Sequence, residues 1–154
     1  MRRAAGAPTV SQPRSTARRT LRVTRRYAAA PSDVFAAWLD AAVARRWLFA
    51  TATQPMTDVR MEPRVGGAFH LAETPAATPH TGRYLEIEPD RRLVFTLTGP
   101  MHARATARVC VEVTPRGRGS ALTVTHRDVP SADAERARDR WTGILYGLEE
   151  TLRN

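Results

Sequence analysis

The sequence predicts an α+β fold in which a curved antiparallel sheet surrounds one long C-terminal helix, in the element order β-α-α-β6-α. Two observations carry this prediction. Between residues 57 and 128, short stretches of alternating apolar and polar residues are separated by turn sequences of mostly hairpin length, which indicates an antiparallel meander. From residue 131 onward, apolar residues recur every three or four positions, which is the period of an amphipathic helix. A chain of 154 residues is long enough for one such domain.

A strand and two short helices are predicted before the meander. Alternating apolar and polar residues from Thr20 to Tyr27 indicate a half-buried strand. Pro31-Ser32-Asp33 is a typical helix start. The apolar stripe of that helix is formed by Val34, Phe35, Trp38 and Leu39. A second short helix is expected over residues 41–48.

The meander contains six predicted strands. Gly66-Gly67 can supply the positive backbone angles of a tight hairpin turn between the first two. The six stretches cover residues 59–65, 69–71, 81–88, 93–98, 104–114 and 121–128. Their short connections favour neighbouring strands that pair with each other in sequence order.

Alternation within the strands also predicts two faces of the sheet, one apolar and one in contact with water. The apolar face contains Leu85, Ile87, Leu93, Phe95, Leu97, Ala105, Ala107, Val109, Val111, Val113, Leu122 and Val124. Five polar residues share the position of this face and are predicted to point inward with it. They are Arg25, Glu73, Arg83, His126 and Asp128.

The C-terminal helix is predicted over Ser131–Leu152, and Ser131 is placed to cap its first amides. Its apolar face is formed by Ala134, Ala137, Trp141, Leu145, Leu148 and Leu152. Gly143 and Gly147 interrupt this helix, and each lowers helix propensity by about 1 kcal/mol relative to alanine. They therefore indicate either close packing against a strand or space left for a ligand.

Charge divides the chain into two parts. Residues 1–19 contain five arginines and no acidic residue, so they are predicted to form a disordered basic tail, and residues 20–154 a single domain. The domain then carries +4 of the net charge of +9. A mis-assigned start, a transit-like segment or weak binding of nucleic acid are the alternatives for the tail. No specific nucleic-acid partner is expected.

Composition favours a soluble protein of the cytoplasm. Hydrophobic residues make up 42% of the chain, and no apolar run approaches the roughly 18 residues of a membrane span, so no membrane partner is expected. Cys110 is the only cysteine, which excludes an intramolecular disulfide and is consistent with a reducing compartment.

Seven short motifs, spread over residues 20–152, carry a family resemblance. They are Ala30–Trp38, Arg46-Trp47, Glu62–Phe69, Gly82–Ile87, Arg92–Thr96, Leu122–His126 and Trp141–Leu145. In this order they resemble the START-like helix-grip (SRPBCC) superfamily, which includes START lipid-transfer domains, plant pollen-allergen proteins and polyketide cyclases. Within it, the chain is similar to the family named after the C-terminal domain of the activator of the heat-shock protein 90 ATPase. Glu62 departs from that family's usual aspartate, and Leu48-Phe49-Ala50 stands where a glycine or proline is common.

The resemblance implies a helix-grip fold that binds a hydrophobic or amphipathic small molecule between the sheet and the terminal helix. The residues expected to bind it are Arg83, Leu85, Phe95, Val109, Val124, His126, Trp141 and Leu145. Among them, Arg83 and His126 would make the polar contacts, although Arg83 could instead pair with Glu73 or Asp128.

Two other functions stay open. His126 beside Asp128 could act as a catalytic base in a cyclase or hydrolase of the same superfamily, or it could simply be a hydrogen-bonded core histidine. The family name implies a co-chaperone of the stress response, with only a weak chaperone contact, because the eukaryotic activator makes its main contact through a separate N-terminal domain. The four histidines lie on different segments and no nucleotide-binding motif occurs, so no metal or cofactor is expected.

Overall fold

The computed structural model describes residues 17–50, 54–100 and 102–153. The strands are β1 Arg18–Tyr27, β2 Asp58–Met61, β3 Ala68–Ala72, β4 His80–Glu88, β5 Arg92–Gly99, β6 His102–Arg116 and β7 Gly119–Pro130. The helices are α1 Pro31–Leu39, α2 Ala41–Trp47 and α3 Ala134–Arg153, and a short 3₁₀ turn, Ser131–Asp133, precedes α3. Residues 1–16 of the predicted tail lie outside the described residues, so disorder there stays a prediction. The predicted boundary at residue 19 is wrong, because Arg18 and Arg19 belong to β1.

All seven strands form one antiparallel sheet in the order β1-β7-β6-β5-β4-β3-β2. Strands β2 to β7 pair in sequence order, as their short connections predict, whereas β1 joins the last strand, β7. The predicted α+β class and the element order β-α-α-β6-α are confirmed. No helix within the described ranges combines the length and the apolar character needed to cross a membrane.

Helix α3 lies against the inner face of the sheet and is joined to β1 by polar contacts. The hydroxyl group of Tyr27 donates a hydrogen bond to the carbonyl oxygen of Leu145 over 2.8 Å. The guanidinium of Arg25 pairs with the carboxylate of Glu149. This hydrogen-bonded pair lowers the pKa of Glu149. The buried side of α3 consists of Ala134, Ala137, Trp141, Ile144, Leu145 and Leu148.

The N-terminus of α2 and the N-terminus of the 3₁₀ turn before α3 differ in how they are capped. Asp40 caps α2, because its Oδ1 accepts a hydrogen bond from the backbone N–H of Ala42 over 3.0 Å. The predicted cap of the terminal helix is wrong: Ser131 begins the 3₁₀ turn, and no side chain caps that turn. The backbone N–H of Ser131 instead donates to the carbonyl oxygen of Ala17, which continues the pairing of the first and last strands.

Two β-bulges change the faces that simple alternation predicts. In β4 the register shifts between Tyr84 and Glu86, so Tyr84 points inward and is 2% exposed, while Leu85 is 40% exposed. The same shift places Arg83 on the exposed side. The predicted inward positions of Leu85 and Arg83 are therefore wrong.

A second irregularity, opposite the Arg19–Leu21 segment of β1, affects the end of β7. Asp128 has a φ of 64° and is exposed, whereas the next residue, Val129, is fully buried. A residue in the left-handed region at this point reverses the alternation. The predicted inward position of Asp128 is wrong for this reason.

Candidate functional site

Aromatic side chains fill the space between the sheet and α3. The rings of Trp38 and Trp47 meet edge to face at 4.7 Å, and Trp38 also lies 6.3 Å from Trp141. A cavity of about 10 Å³ lies among these side chains. One water molecule needs roughly 10–15 Å³ by the same kind of measure. In this conformation the cavity between these described residues is therefore too small for an organic ligand. Its lining residues are Trp38, Leu48, Phe49, Met61, Phe69, Tyr84, Leu93 and Phe95.

Five residues predicted to bind a ligand lie together in this core. Each has an exposed fraction of 2% or less: Phe95, Val109, Val124, Trp141 and Leu145. Of these, Phe95 borders the small cavity directly. The structure thus brings the predicted apolar set together at the centre of the fold, and contact with a ligand stays a prediction.

His126 is fully buried and is a hydrogen-bond partner of α3. The indole Nε1–H of Trp141 donates to its Nδ1 over 2.8 Å. Because an indole N–H can only donate, Nδ1 must carry no proton and the neutral ring bears its proton on Nε2. Asp128 is exposed at its bulge. The geometry therefore favours the core-histidine interpretation of His126 over the catalytic pairing with Asp128.

Arg83 is exposed, and its side chain hydrogen-bonds to the turn between β2 and β3. Its Nη1 donates to the carbonyl oxygen of Gly66 over 3.0 Å, and its backbone N–H donates to Oγ1 of Thr96 over 3.0 Å. The acceptor of the guanidinium is thus the turn between β2 and β3, not one of the two acids considered from the sequence. Arg83 and Leu85 do not line the small cavity.

A pair of rings that the sequence analysis missed, Phe49 and His80, is the most unusual feature of the core. Phe49 follows α2 and is fully buried with a φ of 61°, a conformation that bulky residues rarely adopt. Its ring stacks on the imidazole of His80 with centroids 4.3 Å apart and planes within 3°. His80 is 3% exposed. Phe49 therefore fills the space between the small cavity and His80.

Two polar groups in this region are buried without a hydrogen-bond partner among the described residues. They are the imidazole of His80, through both of its ring nitrogens, and the indole Nε1–H of Trp38. Burial, followed by the nearby guanidinium of Arg140, lowers the pKa of His80 from 6.5 to about 4, and the backbone of Leu71 opposes this only weakly. The contact with Leu71 is too poor to count as a hydrogen bond. His80 is thus neutral at pH 7, with one donor and one acceptor unsatisfied.

On the other side of Phe49, a groove of about 660 Å³ runs between α2 and α3. Its apolar surface includes Trp47 and Ile144. A Cβ atom on Gly143 would meet nothing within 4 Å, so this glycine leaves the groove open. A Cβ atom on Gly147 would lie 3.7 Å from Cβ of Trp47, so this glycine packs against a helix and not against a strand.

Arg140 connects the groove to the interior. It lines the groove, and its Nη2 donates to the carbonyl oxygen of Phe49 over 3.1 Å. Ala50, the next residue, lines the groove as well. The backbone of residues 49–50 therefore stands at the boundary between the groove outside and the aromatic interior.

The sequence profile described as "Activator of Hsp90 ATPase homolog 1-like protein" matches residues 28–153. The chain belongs to this family. The match begins just after β1, which nevertheless pairs along its whole length with β7. No curated protein sequence matches the chain.

Solved structures of similar fold include proteins from several bacteria. A protein from Rhodobacter sphaeroides is 25% identical, with a TM-score of 0.72 over 87% of this chain and 92% of that one. CalU16 from Micromonospora echinospora is 22% identical, with a TM-score of 0.70 over 87% of this chain and 76% of that one. DynU16, a protein of the dynemicin biosynthetic locus, is 18% identical, with a TM-score of 0.70 over 88% of this chain and 47% of that one. The helix-grip architecture of the Activator of Hsp90 ATPase homolog 1-like family is therefore shown for this chain.

The bulge in β4 explains why the sequence pattern did not predict an inward position for His80. With uninterrupted alternation, residues 81, 83 and 85 would face inward and His80 outward. The extra residue at Leu85 reverses this, so His80, Gly82 and Tyr84 form the inner positions of β4. Phe49 could have been recognised as unusual from the sequence, because it stands where this family often has a glycine or proline.

Proposed function

We propose that the protein binds a small hydrophobic or amphipathic molecule between the sheet and α3, and that the molecule enters from the groove between α2 and α3 when the Phe49 ring moves aside. The observation that carries this proposal is Phe49 itself. It separates an open groove from a filled interior, and it does so in a strained backbone conformation.

The balance of energies makes such a movement accessible. Burial of the Phe49 ring stabilises the closed state by about 1.5–3 kcal/mol. The left-handed backbone opposes it by about 1–3 kcal/mol. The unsatisfied groups of His80 and Trp38 add a penalty of about 1–3 kcal/mol each, which a bound molecule or water could remove. The burial and backbone terms are of similar size and opposite sign, and satisfying the polar groups favours a state in which the interior is occupied.

A first test asks whether a ligand is present at all. Native mass spectrometry of freshly purified protein, compared with its denatured mass, should reveal a discrete non-covalent adduct if the ligand is bound tightly in the cell. Titration with the neutral fluorescent probe N-phenyl-1-naphthylamine should show saturable binding in either case. Absence of both an adduct and probe binding, in the wild type and in Phe49→Leu, would refute the proposed function.

A second test concerns the route of entry. In Gly143→Leu, the new side chain would project into the groove, because nothing lies within 4 Å of a Cβ atom there. We expect probe association, followed by stopped-flow fluorescence, to become several-fold slower without loss of folding. Thr142→Leu adds a similar side chain at the exposed neighbouring position and is the matched control. Equal rates in the two variants would exclude entry through this groove.

We propose a cytoplasmic location, because Cys110 is a buried, unpaired thiol, and burial raises its pKa.

A co-chaperone role in the stress response has support only from the family name. Stimulation of the cognate chaperone ATPase at micromolar concentration would support it, and no stimulation would end it. A cyclase or hydrolase activity through His126 and Asp128 has no support from their positions in the structure.

A further inference from the structure

A concave surface lies on the outer face of the sheet, on the opposite side from the aromatic interior. It has a volume of about 640 Å³ and crosses the four strands from β4 to β7. Its lining residues are Leu85, Glu86, Arg92, Val94, Arg108, Cys110 and Arg127. None of them lines the small interior cavity or the groove between α2 and α3. We call this surface the outer pocket.

The β4 end of the outer pocket is apolar. The bulge in β4 turns Leu85 outward, where 40% of it is exposed. On the neighbouring strands, Val94 of β5 and Cys110 of β6 are directly opposite each other and also line the pocket. An apolar group of a ligand can therefore cover a leucine side chain that the fold leaves in water.

One side of the pocket is formed by an ion-pair network. Arg92 donates through Nε to Glu86 over 3.0 Å and through Nη1 to Glu112 over 2.9 Å. Both carboxylates are thus bound by Arg92, and neither forms an ion pair with the arginines on β6 and β7. The acidic group of a ligand belongs at the far end of the pocket, away from these two carboxylates.

The β6–β7 end of the pocket carries two arginines, Arg108 and Arg127. They are directly opposite on neighbouring strands, so their Cα atoms are about 4.5–5.5 Å apart. Both side chains are exposed, and neither guanidinium has an ionic or hydrogen-bonding partner within the part of the chain that the structure describes. A carboxylate, phosphate or sulfonate group between them would replace their repulsion with two charge-assisted contacts.

The spacing of the two ends specifies the shape of the occupant. Leu85 on β4 and Arg108 on β6 are two strand spacings apart, roughly 10 Å. A bare inorganic anion would leave Leu85 in water, and an uncharged hydrocarbon would leave the two guanidiniums without a partner. A molecule with an apolar body and an acidic group at one end satisfies both.

We propose that the outer pocket is a second binding site, which takes a small amphipathic organic anion. The apolar body lies over Leu85 and Val94, and the acidic group is shared by Arg108 and Arg127. This site is on the other side of the sheet from the interior site of the proposed function and does not require the Phe49 ring to move.

Two fluorescent probes that differ by one acidic group test the inference on the full chain. 1-Anilinonaphthalene-8-sulfonate is N-phenyl-1-naphthylamine with an added sulfonate. In the double variant Arg108→Gln/Arg127→Gln, we expect the sulfonate probe to bind about tenfold more weakly than to the wild type at low salt, since each exposed charge pair contributes a few-fold. Binding of the uncharged probe should not change.

Matched controls assign the effect to the outer pocket. Arg116→Gln/Arg118→Gln removes the same charge at the turn between β6 and β7, roughly 25 Å along β6 from Arg108, and should leave binding of the sulfonate probe unchanged. Leu85→Ser should weaken that binding several-fold. Val65→Ser alters another exposed apolar side chain, outside the pocket, and should not. All these side chains are exposed, so circular dichroism should show folded variants.

The outcomes separate this inference from the proposed function. Equal losses in the two double variants would show an effect of net charge alone and would refute the site. Unchanged binding of the sulfonate probe in Arg108→Gln/Arg127→Gln, or in Leu85→Ser, would refute it as well. Failure of the uncharged probe to bind the wild type and Phe49→Leu concerns the interior site and leaves the outer pocket to be decided by the sulfonate probe.

Discussion

Two buried histidines of this chain differ in what their surroundings allow. His126 accepts a hydrogen bond from Trp141 and is part of the core of the fold. His80 has almost the same burial, yet its ring nitrogens have no hydrogen-bond partner within the described ranges. Burial alone therefore does not distinguish a structural histidine from one available to a ligand. The hydrogen-bond partners of each ring do.

Replacement of His126 tests its structural role. In His126→Leu, Nε1 of Trp141 would remain buried without its acceptor, so the free energy of unfolding should fall by about 2 kcal/mol. His126→Gln keeps an acceptor and should lose less. Urea denaturation measures both changes. His70→Leu, which removes a half-buried histidine paired with Asp58, is the control. A loss in His126→Leu no larger than in this control would contradict the assignment.

The pKa of His80 predicts a dependence of stability on pH. The unfolded chain binds a proton at His80 near pH 6.5, and the folded protein only near pH 4, because of burial and Arg140. The unfolded state therefore holds more protons in this interval, and stability falls as the pH is lowered through it. At about 1.36 kcal/mol per pKa unit, the full loss is roughly 3 kcal/mol. Denaturation at pH 7 and pH 4.5 should show a smaller decline in His80→Phe than in the wild type. Equal declines would show that His80 is not the cause.

At the scale of elements, the strands and helices were predictable because their patterns are regular. The inner residues Val109, Val111 and Val113 of β6 alternate without interruption, and the structure confirms their face. The bulges in β4 and β7 were not predictable. In Tyr84-Leu85 two adjacent apolar residues allow either one to face the core, and periodicity cannot choose between them. The predicted face of Arg83 was therefore wrong, and that of Asp128 was wrong because of its left-handed backbone, although both strands were placed correctly.

The outer face of the sheet contains an unfavourable pair of charges. Arg108 of β6 and Arg127 of β7 are directly opposite and both exposed. No ion pair of either one is seen among the described residues. Like charges in this arrangement destabilise a sheet, so Arg108→Glu should raise the free energy of unfolding by roughly 0.5 kcal/mol. Arg108→Gln removes the repulsion without adding attraction and should fall between. Thermal denaturation at low salt measures the series, and a decrease in both variants would contradict the explanation.

At the scale of the whole molecule, β1 is a part of the fold that the family match does not include. It supplies the edge pairing with β7, the hydrogen bond from Tyr27 to α3, and the ion pair between Arg25 and Glu149. We expect a chain that starts at residue 17 to keep the midpoint of thermal unfolding of the full chain. A chain that starts at residue 28 should lose cooperative unfolding. A cooperative transition in the shorter chain, followed by circular dichroism, would show that β1 is dispensable.

The overall architecture followed from the sequence because local hairpins and one long amphipathic helix leave few ways to assemble. The partner of β1 did not follow, since alternation describes a strand's faces and not its neighbours. The filled interior was also beyond the sequence. Which side chain occupies the centre depends on the backbone angle at Phe49, a single residue whose φ of 61° runs against its intrinsic preference.

The pairing of the first strand with the last has a consequence for how the protein is made. During synthesis on the ribosome, the hairpins from β2 to β7 can form as they emerge, because each strand lies next to the one before it. β1 must wait for β7, and the acceptor for Tyr27 lies 118 residues later in the chain. Such distant contacts form slowly. The nascent chain therefore carries an incomplete sheet until β7 leaves the exit tunnel, and the aromatic interior can close only after α3 has followed.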